Sequence, residues 1–149
     1  MKKLIWSFLI AICASCAEQD AQQVLPKATG STYQMMTSYL EPAADQIWGS
    51  AGLIITEDGE VDLRPTTEEG WLNVINAATV VAEGGNLLLI NGYSANEADW
   101  AAYSKGLTLA ALKARQAAES QDADALFDAG GEIYNVCRAC HNRYIERMD

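Results

Sequence analysis

The chain has 149 residues, half of them hydrophobic, enough for one domain with a real core and hardly enough for two. Twenty acidic residues against ten basic ones give a formal charge of −10 at pH 7, a surface that repels nucleic acid and anionic lipid and favours a basic partner. An exported protein kept soluble by its charge has the same balance, so the sign excludes partners more firmly than it assigns one.

The first residues, MKKLIWSFLIAICASCA, place two lysines before an apolar run from Leu4 to about Ala14 and end in small residues, the layout of a bacterial secretory signal. The run is too short to span a bilayer comfortably. Cleavage after Ala17 would leave Ser15 at the minus-three position. Cys13-Ala14-Ser15-Cys16 also has the form of a degenerate lipoprotein box, with Cys16 as the lipidated residue and Cys13 where leucine is usual. Both routes carry the mature domain out of the cytoplasm to the periplasm, soluble in one case and membrane-anchored through Cys16 in the other. Loss of residues 1–17 removes Lys2 and Lys3, takes the charge to about −12, and leaves Cys137 and Cys140 as the cysteines of the fold.

Residues 18–30, EQDAQQVLPKATG, are small and polar with one proline, and read as a flexible tether. A domain over 31–149 follows. From Ser31 the pattern is helical, with Met36, Leu40, Ala43 and Ile47 on one apolar stripe. Met35 instead lines up with Tyr39, Pro42 and Gln46. Pro42 should kink that helix or split it. The segment LIITEDGEVDLRP has two β-favouring arms around Asp58-Gly59 and predicts a small surface hairpin.

Thr66 and Glu69 have capping-box spacing for a second helix carrying Trp71, Val74, Ala78 and Val81, which Gly84-Gly85 should end or interrupt. NLLLINGYSAN reads as an apolar loop or short helical extension, closed by Asn96 as N-cap. The third helix runs from Glu97 to about Glu119, with Trp100, Ser104, Leu107, Ala111, Ala114 and Ala118 inward and Lys105, Lys113 and Arg115 outward. Asp122 caps a fourth, which carries Leu126, Gly130, Ile133, Cys137, Cys140, Tyr144 and Met148 on one face. Gly130 and Gly131 either admit a close neighbour or mark a break. The fold class is all-α: an antiparallel four-helix bundle with a small hairpin insertion between helices 1 and 2. Its alanine-rich helices need something bulky to complete the core.

The sharpest motif is Cys137-Arg-Ala-Cys-His141. On a helix, Cys137 and Cys140 are one turn apart, and His141 lies four residues from Cys137 on nearly the same side. Two thiols so placed can form thioethers to two vinyl groups on one porphyrin edge while the imidazole reaches the iron. A dithiol redox pair or a disulfide are the alternatives. Zinc would lack a fourth ligand, because His141 is the chain's only histidine. The same fact excludes bis-histidine ligation of a haem within one chain. Met148 follows His141 by two turns and cannot reach around a porphyrin, so the first helix supplies the candidates for a distal ligand. Met36, on the apolar stripe, is preferred to Met35, although ordinary core filling explains a methionine there too. Trp48, Trp71 and Trp100 read as core. Tyr144 packs beside the proximal histidine or serves as a generic core tyrosine.

With CRACHNRY late in the chain, a glycine-containing helix over 124–136 and a first helix MMTSYLEPAADQIW, residues from 31 onward resemble the class II c-type cytochromes, the cytochrome c prime family. The resemblance implies a monohaem four-helix bundle with haem c on Cys137 and Cys140 and His141 as proximal ligand. It also implies two subtypes: a five-coordinate iron that binds NO or CO, and a methionine-ligated form that transfers electrons. Met36 fits the second. The expectation is therefore a non-enzymatic, one-electron carrier with a redox partner protein, with gas binding as the alternative; the resemblance also allows a homodimer. The hairpin, the acidic balance and Ile145 in place of a basic residue after Tyr144 depart from the family pattern.

Overall fold

The computed structural model describes residues 25–95 and 97–145. The expected export signal, the first part of the expected tether, the expected cap Asn96 and Met148 lie outside them. The described chain is mostly helical. Three consecutive helical segments come first: α1 (Thr32–Met35), a π turn (Met36–Leu40) and α2 (Glu41–Trp48). The strands β1 (Leu53–Thr56) and β2 (Gly59–Asp62) follow, then α3 (Glu68–Leu87), α4 (Ala98–Glu119) and α5 (Ala123–Tyr144).

Ser31 starts the first helix with a reciprocal cap, its hydroxyl accepting from the Gln34 N–H while the Gln34 side chain accepts from the Ser31 N–H. Pro42 neither stops nor splits this helix. The backbone stays helical through Met35, Met36, Leu40 and Glu41, and the turn just before the proline widens until the Glu41 N–H bonds the Met36 carbonyl. A proline ring crowds the carbonyl four residues back and offers no N–H, and the wider turn accommodates both. The extra residue in that turn also resets the stripe. Met35 and Leu40, five apart, are both buried, while Met36 is only half-buried. The expected stripe is correct from Leu40 through Ala43 to Ile47 and shifts by one residue before it.

The hairpin forms where expected, antiparallel with Thr56 opposite Gly59, so that Glu57 and Asp58 make the turn and Gly59, at φ +131°, opens β2. The cap of α3 is Thr67 rather than Thr66; its hydroxyl accepts from the Gly70 N–H at 3.0 Å. Gly84 and Gly85 do not end α3. Both are buried inside it, and each lies where a neighbour comes close. A Cβ on Gly84 would overlap the Leu40 side chain, and one on Gly85 would lie 2.7 Å from the Ser104 carbonyl and 2.9 Å from the Thr108 N–H nitrogen. Thr108 Oγ1 donates to the Ala82 carbonyl across the same contact, at 3.1 Å. Gly85→Ala should therefore destabilise the fold by about 1–3 kcal/mol through overpacking. Gly84→Ala, which meets only a movable side chain, should cost less; chemical denaturation of both variants checks the order.

The segment over 88–95 is a series of turns, and the tether is not wholly free. The Ala28 N–H bonds the Asn91 carbonyl at 3.0 Å, and Lys27 pairs with Asn91 as an isolated bridge. The described part of α4 begins after Glu97, which caps without a side-chain bond. Asp122 caps α5 as expected, accepting from the Ala125 N–H.

Helix α3 packs on α4, α4 on α5, and α2 on both α3 and α5. Every inward residue expected of α3 and α4 is buried, among them Val74, Ala78, Ala111, Ala114 and Ala118. Among the described residues no helix is long and apolar enough to cross a membrane.

Candidate functional site

The alanine-rich faces that pack tightly at one end leave room at the other. A cavity of about 730 Å³ opens there between the first helical segments, the end of α3, the start of α4 and the second half of α5. Its size lies within the range of cofactor pockets. Leu40, Val81, Leu88, Leu107 and Ile133 make its wall largely apolar.

Helix α5 brings Cys137, Cys140 and His141 to this cavity, and the π turn brings Met36. Met35 is not among the lining residues and is buried in the core instead. The preference for Met36 as the residue facing the site therefore agrees with the cavity, although its cause is the reset register rather than the stripe. Both thiols are free and half-buried, and His141 is exposed at the cavity margin. Burial pushes both thiols above their ordinary range, for Cys137 with a further push from Cys140. Their place late in α5, far from its N-terminus, is also unlike the electropositive setting that activates a dithiol redox pair. Among the described residues no group of three or more His, Cys, Asp or Glu side chains converges on a point where a bare metal ion could sit.

The donor set instead suits a flat, largely apolar group held at its edge. Two sulfurs one helical turn apart, an imidazole next to the second, and a thioether on another wall of the same apolar space match a haem in number and softness. No buried side-chain nitrogen or oxygen among the described residues lacks a partner.

Aromatic residues frame the cavity; the sequence pattern assigned Trp48 and Trp100 to the core and left Tyr144 either beside His141 or in the core. The Trp100 Nε1–H donates to the Leu88 carbonyl at 2.7 Å, tying α4 to the end of α3. Tyr144 packs edge-on against Trp100, with centroids 5.1 Å apart, and donates its hydroxyl to Glu97 at 3.1 Å. Desolvation, reinforced by that Glu97 contact, holds the Tyr144 phenol above its ordinary range, so it stays a donor. Arg143 bridges the same corner to Glu97 and Asp99.

On the other wall the Trp48 Nε1–H donates to the Gly130 carbonyl at 2.9 Å, and its ring would lie 3.3 Å from a Cβ on Gly130. Gly130 thus admits a close neighbour, as expected, and that neighbour is Trp48. Gly131 faces open space, and α5 runs through both glycines unbroken. Trp48→Phe removes one hydrogen bond across 82 residues of chain and should cost about 1 kcal/mol in thermal or chemical unfolding.

Against known proteins, no family model matches the chain, and no curated protein or solved structure matches it either.

Proposed function

We propose that the protein is an exported, periplasmic monohaem c-type cytochrome of the cytochrome c prime kind, an antiparallel four-helix bundle working as a one-electron carrier. One observation carries the reading: a single apolar cavity is lined by Cys137, Cys140 and His141 from α5 and by Met36 from the π turn. In this reading Cys137 and Cys140 hold haem c covalently, His141 is the proximal iron ligand and Met36 the distal one. The haem would supply a metal centre that changes oxidation state by one electron while its ligands stay in place.

The chain's own residues bind, orient and shield. The thiols fix the edge of the group to a rigid helix, and the packing of Trp100 and Tyr144 fixes the α5 turn that carries His141. Leu40, Val81, Leu88, Leu107 and Ile133 keep water from the interior, which limits reorganisation when charge changes. With haem bound, a thioether ligand from Met36 would favour reduced iron and raise the potential relative to a second histidine.

Optical spectra of the purified protein, with and without CO, test this reading. Low-spin spectra in both oxidation states and slow or absent CO binding are expected. A high-spin ferrous spectrum with rapid CO uptake would instead make it a gas-binding haem protein, and absence of a pyridine haemochrome would remove haem altogether.

A further inference from the structure

The hairpin takes no part in the cavity, yet among the described residues it concentrates exposed aliphatic side chains. Leu53, Ile54, Ile55 and Val61 are 58, 48, 77 and 51 % exposed. The register places Ile54 beside Val61 on one face, while Leu53 and Ile55 share the other with Asp62 and Glu60. β1 and β2 form a sheet of two strands, so each is an edge, which ordinary proteins cover or charge to avoid unwanted pairing. Single exposed aliphatics need no explanation, but four within ten residues on a projecting ribbon mark an interaction surface.

Its charge says what kind of partner fits. Glu57, Asp58, Glu60 and Asp62 accompany the four aliphatics, and the adjacent cation Arg64 is taken up by Asp62. A second copy of the chain would set these carboxylates against their own kind, within molecules already carrying a net −10. An anionic membrane is repelled for the same reason.

The base of the hairpin is linked to the cavity wall through aromatic residues. Its base, Gly52 at φ +89°, lies under Phe127, whose ring would meet a Cβ there at 3.1 Å. Phe127, itself 60 % exposed, lines a smaller cavity of about 260 Å³ together with Trp48 and Tyr134. Trp48 and Tyr134, in edge-on contact at 6.3 Å, line the large cavity as well. Tyr134 stands one helical turn before Cys137.

We infer that the hairpin, with Phe127 and Tyr134 beside it, is the docking surface for a protein partner that presents an apolar patch ringed by lysine and arginine. Apolar contact supplies the core of such an interface, and the carboxylates steer the encounter and form its rim. The inference rests on the proposed function only in taking that partner to be an electron-transfer protein.

The test is a titration of isotopically labelled protein, at low ionic strength, with a lysine-rich basic cytochrome c as the probe, followed by amide chemical shifts. Shifts concentrated at 53–62, at Phe127 and at Tyr134 are expected. The double variant Glu57→Lys, Glu60→Lys should weaken binding about tenfold or more, while Glu83→Lys, Glu132→Lys, with the same net charge, should change it by less than about threefold. Shifts spread over all acidic faces, or equal weakening by both variants, would overturn the inference. So would hairpin shifts that grow with protein concentration before any probe is added, since those identify a second copy. A pyridine haemochrome assay on the same sample decides the haem separately: hairpin-localised binding by a haem-free chain would refute the proposed function and leave the surface standing.

Discussion

Replacing both Cys137 and Cys140 with alanine is expected to abolish covalent haem retention completely. After denaturation and extraction with acidified organic solvent, the wild type should keep its haem with the polypeptide, and the double variant should release all of it. The reason is geometric. The two thiols sit one turn apart on a helix tied to the first helical segments by the Trp48 hydrogen bond to the Gly130 carbonyl, and nothing else lining the cavity offers a covalent link. Each single variant should keep one thioether and remain covalent, with its reduced absorption band shifted because one vinyl group stays conjugated. The double variant should also lose stability, since haem held only by equilibrium binding protects the fold in proportion to its free concentration. Loss of haem from the wild type under the same extraction would mean that the motif holds something else.

The second large effect separates two adjacent methionines. Met36→Ala should convert a low-spin iron to high spin and open it to CO. An internal ligand bound for all but about 1 % of the time weakens apparent CO affinity about 100-fold, so its removal should recover about that factor. Met35→Ala should leave spectrum and CO affinity nearly unchanged and cost about 2–5 kcal/mol of stability, because Met35 is only 5 % exposed and packs within the core. Optical titration with CO and denaturant unfolding on both variants read the two axes independently. A spectral change in Met35→Ala, with none in Met36→Ala, would reverse the assignment and place the register of the π turn differently.

That pair of residues also shows where the sequence was legible and where it was not. Period and composition located the helices well: Trp71, Val74, Ala78 and Val81 on α3, and Trp100, Ser104, Leu107 and Ala111 on α4, are all buried as their spacing implies. A fixed period of 3.6 residues could not foresee the π turn, which lets the chain absorb Pro42 without ending the helix. Met36 therefore reaches the cavity for a reason that its stripe did not contain.

Gly84-Gly85 misled for a related reason. Glycine lowers helix propensity locally, but here tertiary packing decides, because only a residue without a Cβ lets Leu40 and the Ser104–Thr108 turn come so close. The same logic was partly readable at Gly130, where a close approach was one of two readings beside a helix break, although which side chain would make it was not. Thr66 and Thr67 were indistinguishable by composition, and the bond to the Gly70 N–H chose the second. At the site, the spacing of the CRACH motif put Cys137, Cys140 and His141 on nearly one side of a helix, and all three line the cavity. The tryptophans of the aromatic frame, Trp48 and Trp100, were visible only as apolar residues, since hydrogen bonds such as Trp100 to the Leu88 carbonyl are long-range facts with no local signature.

The central claim, one haem held by thioethers on Cys137 and Cys140, is tested most directly by mass spectrometry of the purified protein in denaturant, followed by peptide mapping. The account predicts a polypeptide heavier by one haem, with that mass confined to the peptides containing Cys137 and Cys140. Two free thiols, or a disulfide between them, on a chain of unmodified mass would contradict it.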